Sequence, residues 1–352
     1  FGLPLDDLRP EHVALLVAVT RTPGRYEPRE NPNRALARRN LVLGEMYEAD
    51  LLTAADLRRA REAPLGVSAE SKLHRERTYA TAAVRRELRR VAPVIGGRSS
   101  VRVFTTIDQH MQAESQSRVS AFLDALAEGE FGNVASPGVQ PEAGLVVLEA
   151  GSGAIRAVVG GHDFADTELD RALQTRRQVG SLAKPLLVAS YLERGGRAST
   201  PVSTRAIELE SPAGPWRPGD HVEAGSLLPW EIIAQSSNRG AIRIGRRVGV
   251  DVFADDLKRF GVSGPIPEWP SAFLGAFEAS VVEMSGAYAV IENGGVFAEP
   301  HLIRRVEDHQ GRVLYAHDGG LRRGRRVTTP NTAYIVKRAL EDAVASGTGW
   351  RA

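Results

Sequence analysis

The stretch AGLVVLEAGSGAIRAVVGG, residues 143–161, restricts the architecture more than any other part of the chain. Two β-branched runs meet at Gly151-Ser152-Gly153, the composition of a hairpin. On both sides of it the apolar residues recur at helical spacing instead. DDLRPEHVALLVAV, from Asp6, predicts a helix that RTPGRYEPRENPN then breaks. A second helix is expected from Arg34 to about Ala49, and a third after Thr53, where Asp56 follows in capping-box register. RTYATAAVRRELRRV is one more Arg-rich helix, VRVFTTID has strand chemistry, and QHMQAESQSRVSAFLDALAEG returns to helical periodicity. A Gly- and Pro-rich connection from Gly129 to Glu142 leads into the hairpin. Beyond it we expect a helix starting near Ser181, two short helices around Ser236, and a helix over ASVVEMSGAYAVIENGG. A hairpin around Gln310-Gly311 and a final helix over NTAYIVKRALEDAVASG complete the chain. The fold class is therefore α+β: an all-helical opening block, then antiparallel strands with helices.

Composition removes several function classes. The chain has 352 residues, and 45 basic against 43 acidic side chains leave no broad positive field, so nucleic acid is not an expected partner. With no cysteine there is no disulfide framework, thiolate nucleophile or Cys–zinc site. The eight histidines are scattered without ligand spacing and read as isolated surface or core residues, so no metal and no cofactor is expected. The longest apolar run, VALLVAV at 13–19, is far short of the roughly 20 residues of a membrane-spanning helix. The chain opens at Phe1 in what reads as mid-element and stops at SGTGWRA, which suggests a fragment.

The basic residues are 41 arginines and only four lysines, at 72, 184, 258 and 337. Lys184 lies three residues after Ser181 in GSLAKP, a spacing that puts a hydroxyl and an amine on one helix face. A serine is a weak nucleophile until a base takes its proton, and lysine can be that base once burial lowers its pKa. Arginine cannot. Pro185 is tolerated only in a first helical turn, so the helix should begin close to Ser181 and put that residue at its positive end. Lys184 also precedes a proline, a position normally pushed out of α geometry. A bare S-x-x-K match arises about once by chance in a chain of this length. A second polar cluster, Ser236-Ser237-Asn238, adds a hydroxyl and an amide one residue apart, and reads equally well as a helix cap.

GSLAKP and SSN together resemble the first two signatures of penicillin-binding proteins and serine β-lactamases. VFTTIDQHMQ, LVVLEAGSGAIRAVVGG, DRALQTRRQVGSLAKP and NRGAIRIGRRVGV are similar, in order, to landmarks of the transpeptidase domain of bifunctional class A penicillin-binding proteins. GSLAKP is most similar to the 1b type of Gram-negative bacteria. FGLPLDDLRPEHVALLVAVTRTPGRYEPRENPNRALARRNLVL resembles the end of their peptidoglycan glycosyltransferase domain. The resemblance divides the chain into a glycosyltransferase tail (1–65), an inter-domain linker region (66–142) and a penicillin-binding, β-lactamase-like transpeptidase domain (143–352) that stops before its last strands.

The resemblance implies that Ser181 is the acylated nucleophile and Lys184 its general base. Ser236 would pass the proton to a departing D-alanine, and Asn238 would position the peptide and Lys184. The Ser181 backbone N–H would be half of an oxyanion hole. The partners implied are D-Ala-D-Ala stem peptides and nascent glycan, with β-lactams as inhibitors and cell-wall synthesis activators as possible regulators. The parent would be held at the periplasmic face of the inner membrane by an anchor upstream. Two departures stand out. The third signature, Lys-Thr-Gly on a strand, is absent and is expected shortly after residue 352, and the glycosyltransferase glutamates are expected before Phe1. SGTG at 346–349 lacks the cation of that signature and reads as a helix end. The competing functions are a non-catalytic peptidoglycan-binding scaffold and a D,D-carboxypeptidase or β-lactamase using the same serine.

Overall fold

The structure, a computed structural model, describes residues 1, 3–20, 22, 25–29, 31–67, 78–91, 93, 101–132, 140–211, 214–318 and 324–350. The chain forms two compact units, Phe1–Glu76 and Arg77–Ala352.

In the first unit the expected helices form: α1 (Pro10–Thr20), α2 (Pro32–Glu48) and α3 (Ala54–Glu62). Proline opens both α1 and α2, at positions where a missing N–H costs nothing. Thr53 caps α3, its hydroxyl accepting the Asp56 N–H at 3.1 Å. Ala14, Ala18, Val42, Leu43 and Ala60 form the core, the small residues permitting close helix approach. Arg39 is fully buried and donates to the carbonyls of Arg61 (3.0 Å), Ala63 (2.7 Å) and Pro64 (3.2 Å). These carbonyls end α3, so a buried cation meets the negative end of a helix dipole.

The second unit begins with α4 (Tyr79–Val91), the strand Val101–Thr105 and α5 (Gln109–Ala127). Much of the stretch 66–142, expected to link two domains, is thus folded into this unit; within the Gly- and Pro-rich connection, 133–139 lies outside the described residues. Strand 101–105 pairs antiparallel with Ile303–Asp308, which pairs with Val313–Ala316, so the hairpin around Gln310-Gly311 recruits a partner from far upstream. The 143–161 stretch forms its hairpin, Leu145–Leu148 against Ile155–Val159. The outer edge of the second strand is capped by the Gln112 amide of α5, which both accepts from the Val158 N–H and donates to the Val158 carbonyl at 2.9 Å. Two of the histidines read as isolated are stacked: the His301 and His317 ring centroids lie 3.5 Å apart.

The larger core surrounds α6 (Ala183–Glu193), in which every residue from Ala183 to Tyr191 is buried. A helix apolar all round must be enclosed on all sides. The enclosing elements are α7 (Pro229–Ala234), α8 (Asn238–Val248), α9 (Val250–Arg259), α10 (Val281–Glu292) and α11 (Pro330–Ala345), with Phe253, Phe260 and Phe273 filling the spaces between them. The SGTG segment ends α11 as expected, and its Thr348 N–H reaches back to the Ala234 carbonyl at the end of α7, at 3.0 Å. Among the described residues no helix is long and apolar enough to cross a membrane.

Two backbone features fix the ends of α6 and α7. A 3-10 turn, Gly180–Leu182, leads into α6, and Gly180 has φ +55°. Gly275, φ +77°, lies against it: a Cβ there would fall 2.0 Å from the Gly180 carbonyl oxygen. After α7, Ser236 takes φ +53°, and the N–H groups of Ser236 and Ser237 return to the carbonyls of Ile233 and Ile232 at 3.1 Å. This is a Schellman end, which normally uses glycine at the left-handed position. Gly275→Ala is expected to destabilise the second unit by about 2 kcal/mol or more, read by denaturant unfolding, because both the contact and the dihedral reject a side chain. At position 236, Ser→Gly should be about 1 kcal/mol more stable than Ser→Ala, since both lose the hydroxyl but only glycine relieves the left-handed strain. Equal stability of the two would mean that the turn carries no strain.

Candidate active site

The four residues singled out from the sequence come together at the N-terminal end of α6. Ser181 is exposed on the 3-10 turn, and Lys184 lies one turn further along, with 2% of its surface accessible. Lys184 is helical despite preceding a proline: Pro185 is the third residue of α6, inside the first turn, where its missing N–H is not needed. Ser236 and Asn238 arrive from the turn between α7 and α8, and the middle residue of the SSN triplet does the capping. Ser237 Oγ accepts the Gly240 N–H at 3.1 Å, which leaves its neighbours free to face the lysine.

Lys184 Nζ donates to Ser236 Oγ at 2.9 Å, to Asn238 Oδ1 at 2.8 Å and to the Ser236 carbonyl at 2.5 Å. Ser236 Oγ in turn donates to Ser181 Oγ at 3.0 Å. The hydrogen-bonded path from the amine to the exposed hydroxyl therefore runs through Ser236 rather than directly along the helix face. Three acceptors match the three protons of an ammonium group. Burial nevertheless pushes the Lys184 pKa down to about 8, with the negative charge of Asp220 opposing the shift. Near neutral pH an appreciable minority of the amine is thus uncharged, about a tenth at pH 7. The exposed lysines sit differently: Lys258 pairs with Asp255 at 2.9 Å, and Lys337 with Glu292 at 3.0 Å.

A second layer holds the first. Asn238 Nδ2 donates to the Gly219 carbonyl at 2.8 Å, which orients its Oδ1 toward the lysine. Asp220 Oδ2 accepts from Ser237 Oγ and from the Arg239 N–H, both at 2.7 Å. Gly219 and Asp220 were not identified from the sequence, where the only signal is the Pro218-Gly219 turn dipeptide. An open groove of about 730 Å³ borders this turn, with Thr204, His221, Glu223, Gln235, Thr348 and Trp350 among its lining residues. Among the described residues no group of three or more histidine, aspartate or glutamate side chains is placed to hold a metal ion.

A hydroxyl linked through a second hydroxyl to a buried amine of lowered pKa is an arrangement suited to covalent catalysis. Comparison with known proteins agrees in kind. Penicillin-binding protein 1B of Vibrio cholerae is 30% identical over 99% of this chain, and the chain spans 44% of that protein's length. Among solved structures, penicillin-binding protein 1A from Haemophilus influenzae superposes over 100% of this chain and 71% of its own, with a TM-score of 0.74 at 23% identity. PonA1 from Mycobacterium tuberculosis, solved in complex with penicillin V, covers 76% of this chain and 70% of its own, with a TM-score of 0.61 at 20% identity. Residues 143–352, which carry α6, the SSN turn and their supports, match the family model of the penicillin-binding protein transpeptidase domain, and the chain belongs to that family.

Proposed function

We propose that the chain carries a serine D,D-transpeptidase centre of peptidoglycan synthesis, with Ser181 as nucleophile and Lys184 as general base. The observation that supports this best is the link from a buried amine through Ser236 to an exposed serine, because a surface that only binds has no use for a lysine of lowered pKa. In the acylation step Ser181 Oγ attacks the carbonyl between the two D-alanines of a stem peptide, and its proton passes through Ser236 to the neutral Lys184. The tetrahedral oxyanion forms at the N-terminal end of the turn leading into α6, where the Ser181 N–H and the helix dipole favour negative charge. Collapse breaks the C–N bond, the leaving amine takes the proton back from Lys184 through Ser236, and an ester remains on Ser181. An amine of a second stem then attacks that ester, and the proton follows the same route in reverse. Asn238 holds the lysine through Oδ1, and Nδ2, which gives one proton to the Gly219 carbonyl, has its second for the substrate backbone.

A β-lactam presents the same carbonyl in a strained ring and should acylate Ser181 without a leaving group departing. The resemblance of residues 1–65 to the end of a glycosyltransferase domain supports a parent that also polymerises glycan. It would work at the periplasmic face of the inner membrane, with synthesis activators as its regulatory partners. A non-catalytic scaffold and a D,D-carboxypeptidase remain the competing functions, and the test below separates the first of them.

With labelled penicillin and the protein at its natural length, intact mass and peptide mapping should find one adduct, on Ser181, and none in Ser181→Ala. Lys184→Arg keeps the charge but cannot give up a proton, and should slow acylation by roughly 1,000-fold. The wild-type rate should rise with pH through about 8 as Lys184 loses its proton. A folded protein that takes no label, or one that Lys184→Arg leaves unchanged, overturns the assignment.

A further inference from the structure

Asp220 is a carboxylate with a fully buried side chain, and it lies on no secondary-structure element. A buried carboxylate is costly unless several donors meet it, and three do. Oδ2 accepts from Ser237 Oγ and the Arg239 N–H at 2.7 Å, and Oδ1 accepts from the Val222 N–H at 3.2 Å. Two of these donors belong to the SSN turn and the first turn of α8. The preceding residue, Gly219, accepts from Asn238 Nδ2, so consecutive residues of one loop grip both Asn238 and its neighbours. That grip adds to the two Schellman hydrogen bonds in holding Ser236 in a left-handed conformation against about 1 kcal/mol of strain.

We propose that Asp220 is a positioning residue for the acyl-transfer site: its carboxylate clamps the Ser236–Asn238 turn and supplies the counter-charge to the buried Lys184 ammonium. The inference rests on the acyl-transfer reading for its catalytic meaning, but not for its physical content. Asp220 does not touch the substrate position; it acts through Ser237, Arg239 and the field at Lys184. Burial pushes the Asp220 carboxyl up, but the hydrogen bonds from Arg239, Ser237 and Val222 outweigh it and hold the group below the ordinary range. It is therefore anionic wherever Lys184 titrates. The other ionisable group beside it is His221, whose Nδ1 lies 3.9 Å from Oδ1 and is largely exposed. Lys184, on α6, feels its charge, and Arg239 contributes its backbone from α8. Asp220 opposes the effect of burial on Lys184, so removing its charge should make the lysine give up its proton more easily, not less.

The scarcity of lysine makes this measurable. With ¹³Cε-labelled lysine the 352-residue chain shows four signals, and the one absent from Lys184→Arg reports the site. In the wild type it should titrate at about 8. Asp220→Asn keeps an acceptor for the turn but loses the charge, and should lower that midpoint by about half a unit or more, moving the acidic limb of penicillin acylation down with it. Asp220→Ala loses the clamp as well. At about pH 9, where most of the amine is already neutral, it should acylate roughly 10-fold more slowly, whereas Asp220→Asn stays within about 3-fold of wild type. A Lys184 midpoint that does not move in Asp220→Asn, or an Asp220→Ala protein that acylates at the wild-type rate, overturns the proposal. Should Asp220→Ala fail to fold, the Asp220→Asn titration decides alone. A wild-type protein of natural length that takes no penicillin, while Asp220→Asn still lowers the Lys184 midpoint, would sink the acyl-transfer reading and leave the counter-charge standing.

Discussion

The enclosure of one lysine amine organises the second unit. With 2% of Lys184 accessible, water cannot solvate the ammonium, so the protein must supply its acceptors. All three come from a single turn: the Ser236 hydroxyl, the Ser236 carbonyl and the Asn238 amide oxygen. That concentration explains why the turn is built with unusual care. It takes a left-handed serine where glycine would be cheaper, a capping serine at 237, and a buried aspartate behind it. The left-handed serine and the buried aspartate each cost stability in isolation, which the cap at Ser237 partly offsets. Together they hold the acceptors where the amine needs them and leave one hydroxyl within reach of Ser181.

The same requirement accounts for the surroundings of α6. A helix with the Ser181 hydroxyl just before its first turn and the Lys184 amine within it can keep both in place only if it cannot slide or rotate. From Ala183 to Tyr191 it is buried on every face, and the aromatic rings of Phe253 and Phe273 pack beside it among aliphatic side chains. Interiors packed at crystal-like density resist displacements of even one methylene. At the N-terminal end the restraint passes from side chains to backbone. The Val179 and Gly180 N–H groups bond to the carbonyls of Phe277 and Gly275, and Gly275 approaches too closely to tolerate a Cβ. The site is thus positioned by two glycines and by the buried apolar residues that follow Lys184 in α6, none of which touches the reacting groups.

What the sequence could and could not reveal follows from the range of the forces involved. Hairpin 143–161, the Thr53 cap and the helices α6, α10 and α11 depend on neighbours within a few residues, and their signals are local. The pairing of strand 101–105 with 303–308 is not local, so VRVFTTID shows strand composition without showing its partner, and the stretch around it reads as a connection. The site shows the same division. Spacing alone put Ser181 and Lys184 on one face, and the choice of lysine over arginine marked the pair. SSN allowed two readings, cap or catalytic cluster, and the structure assigns capping to Ser237 while Ser236 and Asn238 face the amine. Asp220 could not be found this way. Its importance lies in contacts across the fold, and an aspartate after Pro-Gly looks like any surface turn.

With Lys184 as the general base proposed above, the balance at its amine also bears on why such a base needs an anion that it does not touch. Burial alone drives a lysine toward neutrality, and a lysine driven too far is a poor proton acceptor, because basicity falls with pKa. An unopposed ammonium on the surface fails in the other direction, since almost none of it is neutral near pH 7. A useful base lies between the two, and the structure reaches that range by opposing two effects rather than weakening one. Desolvation lowers the pKa and the Asp220 charge raises it, with a resultant of about 8. A direct carboxylate partner, such as Lys258 and Lys337 have, would overshoot and keep the amine charged. Setting the carboxylate behind the turn, with its oxygens occupied by Ser237, Arg239 and Val222, lets its field reach the amine without offering it a proton acceptor. The donors that fix the turn thereby also determine how strongly that charge acts on the lysine.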